Sequence, residues 1–359
     1  MENYSMHLPS YSIGSSVYDK IPEICESYGT KVIAIGGHKA MAAAKDKILD
    51  SIKGSKLEIL DFIWYGGEAT YENVQTLMEH PLVKEADMIF CIGGGKSTDT
   101  GKCLGVKINK PVFSFPTIAS NCSACTSVSI MYYPDGRFKE PFFYPAPPVH
   151  AFIDTEITVH SPARYLWAGM GDTYAKYFEA VMSSKGEELQ HYFQMGVNAS
   201  RMCYEPVIKY GKEAMDSNEK GEVSYAYEQV VLAIIVSTAL ASIYLTAEHT
   251  VHYNSGLAHA IFYSLTAYPH IEKNHLHGEV VSYGVLNLLL VDNNLEDFEK
   301  VYAFNKSVGL PTCLADLEFT SEQIEELAAG AVIMKDIEHN PYVITKEMLV
   351  EAMKKLENL

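Results

Sequence analysis

The sequence predicts an α/β domain over residues 1–160, built on a parallel, Rossmann-like sheet, followed by an all-α domain over residues 161–359. The first part of this prediction rests on β-rich runs that alternate with helical stretches and end in glycines. The second rests on helical periodicity without strand signals from Ala163 to the C-terminus. A chain of 359 residues is also long for a single hydrophobic core, which favours two domains.

Five β-rich runs are expected to form the sheet, because each is short, apolar and bounded by turn residues. In chain order they are residues 31–37, 56–66, 87–95, 111–117 and 150–155. Helical patterns separate them at 41–53, at 71–86 and after the glycines at 93–95. This alternation is typical of a doubly wound sheet, which binds ligands at the carboxyl ends of its strands. Pro-Asp-Gly within 128–138 predicts a hairpin inserted before the last strand.

Composition excludes some classes of partner. The chain is 48% apolar and 20% charged, with a formal net charge of −17 and no cluster of Lys or Arg, which argues against nucleic acid and anionic membranes. The first residues do not form a signal peptide, and the apolar run at 230–245 is too short for a typical membrane span, so a buried helix is expected. Seven scattered cysteines then favour reduced thiols and a cytoplasmic protein acting on a small molecule.

A glycine run at residues 93–95, followed by Lys96, joins the third predicted strand to the next helix. The motif is neither a Walker A loop nor GxGxxG, because Phe90 and Thr98 occupy positions where those motifs need glycine. It nonetheless places N–H groups at a helix N-terminus, an arrangement that binds phosphate. We expect a pyrophosphate here, with a tight turn that binds no ligand as the alternative.

The segment 249–284 contains six of the thirteen histidines, set among apolar residues at helical spacing. A single histidine on an apolar face is ordinarily a core residue whose ring nitrogens both have partners. Two of them, His259 and His277, lie on consecutive apolar helices and are expected to converge on one metal ion. Asp172 becomes the third ligand, although a helix cap paired with Lys176 is the alternative. Such a site leaves a coordination position for a substrate oxygen.

Four segments, in this order, resemble the iron-containing alcohol dehydrogenase superfamily and in particular its glycerol dehydrogenase branch. They are GGGKSTDTGK (93–102), PTIASNCSACTSVSIMY (116–132), GMGDTYAKYFEA (169–180) and GLAHAIFYSLT with HLHGEVVSYG in 256–284. The resemblance spans nearly the whole chain and includes an early IGSS (13–16). It implies a dehydroquinate synthase-like architecture, a nicotinamide cofactor and a metal in the cleft between the domains, and assembly as a homo-oligomer.

Carried over by position, the resemblance assigns residues to both groups. The metal would be held by Asp172, His259 and His277, and would be zinc in the first place, with iron, nickel or manganese as alternatives. The cofactor would be bound by Gly37, Gly94, Gly95, Lys96, Thr117, Ser120, Thr126, Val128 and Tyr132. The metal would polarise a carbinol or carbonyl oxygen while hydride passes to or from the nicotinamide.

Departures from the family pattern bear on the substrate. Glycerol dehydrogenases of this kind carry an aspartate that accepts a hydrogen bond from the polyol, and Cys122 replaces it here. Iron-type relatives carry further histidines where this chain has Lys176 and Phe262, which favours three metal ligands over four. Cys122 with Lys176 is similar to the 2-hydroxycarboxylate dehydrogenase (2-oxoacid reductase) members. Both would then be catalytic residues, with Lys176 facing the substrate carboxylate; its alternative is an ion pair with Asp172 or Glu179.

The predicted function is therefore metal-dependent hydride transfer between NAD(P)H and a small 2-oxo or 2-hydroxy acid. Residues 35–39 contain no carboxylate for the ribose hydroxyls, and His38 or Lys39 could pair with a 2′-phosphate, which favours NADPH. An NAD-dependent glycerol or polyol dehydrogenase is the first alternative. Further alternatives are a non-catalytic binding relative and a dehydroquinate synthase-type lyase, although the helical part has only Arg164 and Arg201 to bind a phosphorylated substrate.

Overall fold

The computed structural model describes residues 4–359, which form two compact units. The first consists of the chain up to Pro162 together with Ser217–Val223, and the second of Ala163–Asp216 with Ser224–Leu359. The return of Ser217–Val223 to the first unit was not expected from the sequence. Asn218 shows its cause, because its side-chain amide donates hydrogen bonds to the carbonyl oxygens of Val159 at 2.6 Å and Ser161 at 3.1 Å.

The first unit is built on a parallel sheet with an inserted hairpin, which confirms the predicted α/β class. The strands are β1 (Tyr11–Gly14), β2 (Lys31–Gly36), β3 (Glu58–Trp64), β4 (Met88–Gly93), β5 (Val112–Pro116), β6 (Val128–Tyr132), β7 (Phe138–Phe143) and β8 (His150–Asp154). Six of them form the parallel sheet in the order β1-β8-β5-β4-β2-β3, and β6 and β7 pair separately as an antiparallel hairpin.

Sixteen α-helices accompany these strands along the described chain. They are α1 (Ile21–Cys25), α2 (His38–Ser51), α3 (Tyr71–Glu79), α4 (Pro81–Glu85), α5 (Gly95–Ile108), α6 (Thr155–Val159), α7 (Ala163–Ser183), α8 (His191–Lys220), α9 (Tyr225–Leu232), α10 (Thr238–Leu245), α11 (Leu257–Leu265), α12 (Pro269–Asn274), α13 (His277–Val291), α14 (Leu295–Val308), α15 (Ile324–Ala331) and α16 (Lys346–Glu357). Residues 163–359, all of which the structure describes, contain no strand, so the predicted all-α class of the second unit is also confirmed.

The central strands are buried along their whole length. Every residue of β4, β5 and β8 is buried, as expected where helices cover both faces of a parallel sheet. On one face, aromatic side chains fill the core, with the Phe115 and Phe152 rings stacked at 4.9 Å and Phe90 4.7 Å from Phe115. On the other face, Ile33 and Ile89 pack in a second aliphatic cluster.

The order of the strands creates one switch point in the sheet. The chain runs from β2 outward to β3 and then returns across β2 to form β4, so β2 and β4 are neighbours although β3 separates them in sequence. Crevices at such points, outside the carboxyl ends of the strands, are where doubly wound folds bind nucleotides. Both strands end in glycine here, β2 at Gly36 and β4 at Gly93.

A continuous helical stretch in the second unit, Tyr225–Leu245, contains a π-helical turn at Ala233–Ser237 between α9 and α10. It is long and apolar enough, by length and composition, to cross a membrane, and 67% of its most apolar window is buried inside the fold. A core helix passes the same test. The burial agrees with the buried helix predicted for residues 230–245.

His150 makes the stability of the first unit depend on pH. Its ring is buried on β8, with Nδ1 2.7 Å from Ser10 Oγ and Nε2 3.0 Å from Ser12 Oγ. Burial, reinforced by the charge of Lys20, lowers the pKa of His150 to about 4. The folded protein therefore keeps the ring neutral down to that pH, while the unfolded chain binds a proton below about 6.5, so stability is lost as the pH falls through this window.

We expect wild-type protein to lose about 2 kcal/mol more free energy of unfolding between pH 7 and pH 5 than the variant His150→Gln, which has no titrating ring. Urea unfolding of both proteins at the two pH values measures this difference. His7→Gln, at an exposed histidine, is the control and should behave as wild type. Equal losses in wild type and His150→Gln would show that His150 is not the responsible group.

Candidate metal centre and nucleotide site

Asp172, His259 and His277 converge in the second unit, where each offers one ligand atom and these atoms all lie within 4.8 Å of one another. Asp172 Oδ1 is 3.4 Å from His259 Nε2 and 3.5 Å from His277 Nε2. These distances are longer than ordinary hydrogen bonds of roughly 2.7–3.2 Å. An ion with bonds of about 2.1 Å would hold tetrahedral ligands about 3.4 Å apart. The donor set and its spacing therefore fit a divalent cation.

Close approach of three helices brings the ligands together. Where α7 crosses α13, a Cβ added at Gly171 would lie 2.2 Å from the carbonyl oxygen of Gly278. Where α11 crosses α13, a Cβ at Gly284 would lie 2.5 Å from the carbonyl oxygen of Ala258. Any larger side chain would push these backbones apart. Asp172 directly follows Gly171, His277 directly precedes Gly278, and the spacing of the ligands consequently depends on these glycines.

Glu179, one of the most deeply buried carboxylates in the chain, holds His259 from behind. Its Oε1 accepts hydrogen bonds from the backbone N–H groups of Gly256 at 2.9 Å and His259 at 3.0 Å, and its Oε2 lies 2.8 Å from His259 Nδ1. The first two bonds cap α11, whose own N-cap residue Gly256 has no side-chain acceptor. The third places the proton of a neutral ring on Nδ1 and leaves the Nε2 lone pair directed at Asp172.

The electrostatics of the cluster favour a cation. Burial opposes charge on the His259 ring, but Glu179 and Asp172 outweigh it and raise the pKa of His259 to about 10. Burial also opposes ionisation of both carboxyl groups, and the neighbouring histidines nevertheless lower the pKa of Asp172 and of Glu179. Two buried carboxylates thus create a negative potential that a proton or a metal ion at the imidazoles satisfies.

Lys176 does not form the ion pair that was one of the two contacts expected from the sequence. Its side chain is 6% exposed, and its ammonium group donates hydrogen bonds to the backbone oxygen of Asn254 and, at 2.9 Å, to Asn254 Oδ1. Among the described residues it forms no ion pair with Asp172 or Glu179. The ion-pair alternative is wrong because α7 presents this position to the segment before α11, which sequence spacing does not reveal.

Phe262 lies beside the metal ligands. Its ring meets the ring of His277 edge to face, with centroids 4.3 Å apart. Phe262 is one turn after His259 on α11, so an apolar ring occupies the position from which a further imidazole could have reached an ion. The described residues that form the cluster are the three ligands alone, in agreement with the departure at Phe262.

In the first unit, two helices begin at the switch point of the sheet without side-chain caps. Helix α2 follows β2 with Gly37 as its N-cap, and α5 follows β4 with Gly94 as its N-cap, and neither makes a side-chain capping hydrogen bond. The first intrahelical bond of α5 is from Thr98 N to Gly94 O. The N–H groups of its first turn, including those of Gly95 and Lys96, therefore have no intrahelical acceptor and fit an anion such as pyrophosphate.

The glycines of the turn also leave space that a side chain would fill. A Cβ at Gly94 would lie 2.6 Å from Ile118 Cδ1, and one at Gly95 would lie 2.7 Å from Asn121 Nδ2. Lys96, in contrast, has a partner within the protein. Its ammonium group pairs with Glu68 and lies 5.3 Å from the centroid of the Tyr132 ring.

The remaining residues predicted to bind the cofactor lie beyond β5 and on the hairpin. Thr117 follows β5, and its N–H donates to the carbonyl oxygen of Gly93 at 3.3 Å. Ser120 follows in the same loop, Val128 begins β6 and Tyr132 ends it. Thr126 lies in the loop between Ser120 and Val128, and its side chain is 3% exposed. All nine predicted residues therefore belong to the first unit, along the carboxyl ends of β2, β4 and β5 and on β6 with the loop before it.

Cys122, predicted as a catalytic residue, is half-buried at the start of the turn Ser123–Cys125. The N–H of Cys125 donates to the carbonyl oxygen of Cys122 at 2.9 Å, so the CxxC motif closes a turn. Cys122 lies in the first unit and the metal cluster in the second.

Sequence reasoning missed two residues. Glu179 was considered only as an ion-pair partner of Lys176, although Asp172, Lys176 and Glu179 recur at i, i+4 and i+7 on one face of α7, a spacing that signals a shared neighbour. Lys102 ends the quoted motif GGGKSTDTGK and was given no role. The sequence gives no signal of its role, because its burial appears only in the structure, where a lysine is almost never fully buried without partners.

Comparison with known proteins adds three findings. The family described as "Iron-containing alcohol dehydrogenase" matches residues 9–155. The chain is 35% identical over 302 residues to glycerol dehydrogenase of Thermotoga maritima, covering 81% of this chain and 79% of that protein. It is 28% identical over 339 residues to hydroxycarboxylate dehydrogenase A of Escherichia coli, covering 92% of this chain and 90% of that one.

The fold has a close counterpart among solved structures. The crystal structure of glycerol dehydrogenase from Schizosaccharomyces pombe superposes with a TM-score of 0.85 at 25% identity, covering 100% of this chain and 91% of that one. The two-unit architecture is therefore shared along the whole described chain.

We expect Glu179→Gln to weaken Zn²⁺ binding by about 10- to 100-fold, because a Gln amide cannot accept from both the backbone N–H groups and His259 Nδ1. Competition with a chromogenic chelator measures the affinity. The control Glu188→Gln, at an exposed glutamate on the loop after α7, should bind Zn²⁺ as wild type does. Unchanged Zn²⁺ affinity in a folded Glu179→Gln protein would show that Glu179 does not contribute to metal binding.

Proposed function

The chain belongs to the iron-containing alcohol dehydrogenase family, and we propose that it exchanges hydride between a nicotinamide cofactor and a small neutral alcohol or polyol. The observation that carries the proposal is the Asp172, His259 and His277 cluster, whose ligand atoms have the spacing of a tetrahedral site. When bound, the metal supplies Lewis-acid polarisation of the substrate oxygen and the nicotinamide supplies hydride exchange.

In this proposal the protein's part at the metal is to hold three donors in place before substrate arrives. Asp172 supplies the negative charge, and the two imidazoles supply neutral nitrogens. Glu179 fixes the tautomer of His259, and Phe262 shields one face of His277. Three protein donors leave at least one coordination position for the reacting oxygen.

The first unit's part in the proposal is to bind the pyrophosphate. The uncapped first turn of α5 donates its N–H groups, and Gly94 and Gly95 let the backbone approach the phosphates. Lys96 adds positive charge once a phosphate replaces its partner Glu68.

A neutral substrate is supported by the position of Lys176. The prediction of a 2-oxo or 2-hydroxy acid assigned this ammonium group to the substrate carboxylate. Its hydrogen bonds go to Asn254 instead, and its side chain is buried. The 35% identical relative from Thermotoga maritima is a glycerol dehydrogenase, which supports the same substrate class. The relatives are dehydrogenases, which also favours an oxidoreductase over the lyase and non-catalytic alternatives.

A 2-oxo or 2-hydroxy acid is the second candidate, favoured by Cys122. This residue replaces the aspartate that the resemblance leads one to expect, and a thiol is a much weaker acceptor for a polyol hydroxyl. The hydroxycarboxylate dehydrogenase A relative supports this candidate over 90% of its own length.

For the cofactor we propose NADPH over NADH, because residues 35–39 carry no carboxylate that would repel a 2′-phosphate. His38 stacks on Trp64 with ring centroids 5.5 Å apart, beside Lys39, so one aromatic and one cationic side chain are available there. For the metal we propose zinc, and for the place of action the cytoplasm. Assembly as a homo-oligomer stays a prediction.

Steady-state assays of the zinc-loaded protein test the proposal directly, with NAD and NADP for oxidation of the alcohols and with NADH and NADPH for reduction of the oxoacids. We expect kcat/KM for glycerol or 1,2-propanediol to exceed that for 2-oxobutyrate and 2-oxoglutarate, and NADP to be used in preference to NAD. His277→Ala should lower kcat/KM by about 10³-fold, since loss of a metal ligand removes several kcal/mol of transition-state stabilisation. His191→Ala, at an exposed histidine, is the control. Turnover of neither cofactor with any of these compounds would contradict the proposed function.

Lys176→Met separates the two substrate candidates. If Lys176 binds only Asn254 and no substrate, the variant should keep the ratio of oxoacid to alcohol kcat/KM within about threefold of wild type. A selective loss of oxoacid activity of about 100-fold would instead assign Lys176 to a substrate carboxylate and establish the second candidate. Lys185→Met, at an exposed lysine after α7, is the matched control.

A further inference from the structure

Lys102 and Asp99 form a charged pair inside the first unit, on the second and third turns of α5. Lys102 is 1% exposed and Asp99 6% exposed, and Nζ lies 2.9 Å from Oδ1. Removing both charges from water is costly, and apolar residues of similar size often serve a core equally well. The pair therefore needs an explanation beyond the packing of α5.

The partners of Lys102 give that explanation. Its ammonium group donates to the carbonyl oxygen of Ser123 at 2.8 Å, to that of Val128 at 2.6 Å and to Thr126 Oγ1 at 3.2 Å. These three acceptors span the loop 123–128, which runs from a single 3₁₀ turn to the start of β6. An irregular loop cannot satisfy its own carbonyl groups as a helix or sheet does, and a buried ammonium group replaces the missing donors.

Asp99 extends the same attachment to the hairpin. Its backbone oxygen accepts from Ser129 Oγ at 3.0 Å, and its Oδ2 accepts from the N–H of Ile130 at 3.3 Å. The hydroxyl of Tyr144 lies 3.2 Å from Ser129 Oγ and closes the network on the far side. Residues 123–130 are thus fastened to α5 by groups that come from one helix.

Two parts of α5 serve one ligand in the proposed function. Its first turn offers N–H groups to the pyrophosphate, and on its second and third turns Asp99 and Lys102 hold the loop that carries Thr126 and Val128, both assigned to the cofactor. We propose that Lys102 is a positioning residue, which orders the loop 123–128 before the cofactor arrives. Binding then does not have to order the loop, which is how preorganisation raises affinity. This inference rests on the proposed function, because it takes a nicotinamide nucleotide as the ligand.

The double variant Asp99→Asn/Lys102→Met tests the inference. It removes both charges together, so neither is left buried alone, and the amide oxygen introduced at position 99 can still accept from the Ile130 N–H. Lys107→Met, at an exposed lysine of the same helix, is the matched control. The readouts are the Kd of NADPH and NADH from nucleotide fluorescence, KM and kcat, the Kd of Zn²⁺, and hydrogen exchange of the 123–130 amides.

We expect the double variant to bind the nucleotide about 10- to 100-fold more weakly, with the loss in KM for the cofactor rather than in kcat. Exchange of the loop amides should accelerate at least about tenfold, and Zn²⁺ affinity should match wild type. A nucleotide Kd within twofold of wild type, together with accelerated loop exchange, would overturn the inference. Unchanged loop exchange would overturn it as well.

Hydrogen exchange of the wild-type protein gives a second test, which needs no variant. An ordered loop predicts that the amides of Cys125 and Ile130 exchange within about threefold of the same rate with and without NADPH. Protection of these amides by more than about tenfold on adding nucleotide would show that the cofactor orders the loop and would overturn the inference. Failure of the wild-type protein to bind NADPH or NADH at all would instead contradict the proposed function.

Discussion

The imidazole of His259 lies between two carboxylates, Glu179 at Nδ1 and Asp172 at Nε2, and the candidate metal centre depends on that alignment. A neutral imidazole carries one N–H, so the acceptor at one nitrogen decides which lone pair remains at the other. Because Glu179 also accepts from the first backbone N–H groups of α11, the same carboxylate orients the ring and caps the helix that bears it. Rotation of the ring would break its hydrogen bond with Glu179 Oε2, and the two backbone bonds at Oε1 hold that carboxylate in place, so the ring is oriented before any ion binds.

Both units use a buried charged group to hold irregular backbone beside a binding position. In the helical unit Glu179 and Lys176, one turn apart on α7, hold the segment 254–259. In the sheet unit Lys102 holds the loop 123–128 from α5. A buried charge is costly unless hydrogen bonds replace its hydration, and backbone without secondary structure offers the unpaired groups to do so. The buried charge and the unpaired backbone groups therefore satisfy each other, and a regular helix fixes the conformation of the neighbouring loop.

Much of the fold follows from local patterns. Strand β4 is apolar along its length because both faces are covered, and this continuous run, ending in glycines before a helix, is readable without knowing its neighbours. The separation of strand-rich from helical sequence near residue 160 reflects the same periodicities. The candidate metal ligands could also be predicted, because His259 and His277 are unusual on apolar helices and the motifs around them resemble one family. The register of the strands and the close approach of the helices could not be predicted, because the contact between Gly278 and α7 exists only once the helices have packed.

The sequence by itself determined which elements form and which residues could bind a metal or a phosphate, because these depend on spacing along one helix or at the end of one strand. Tertiary structure alone decided which of those side chains are available. Lys176 contacts Asn254, 78 residues away, rather than the carboxylates of its own helix. Lys96 meets Glu68, from the loop after β3, before any phosphate. Helical spacing specifies the face from which a side chain leaves, but the segment it meets there is set by how distant parts of the chain pack.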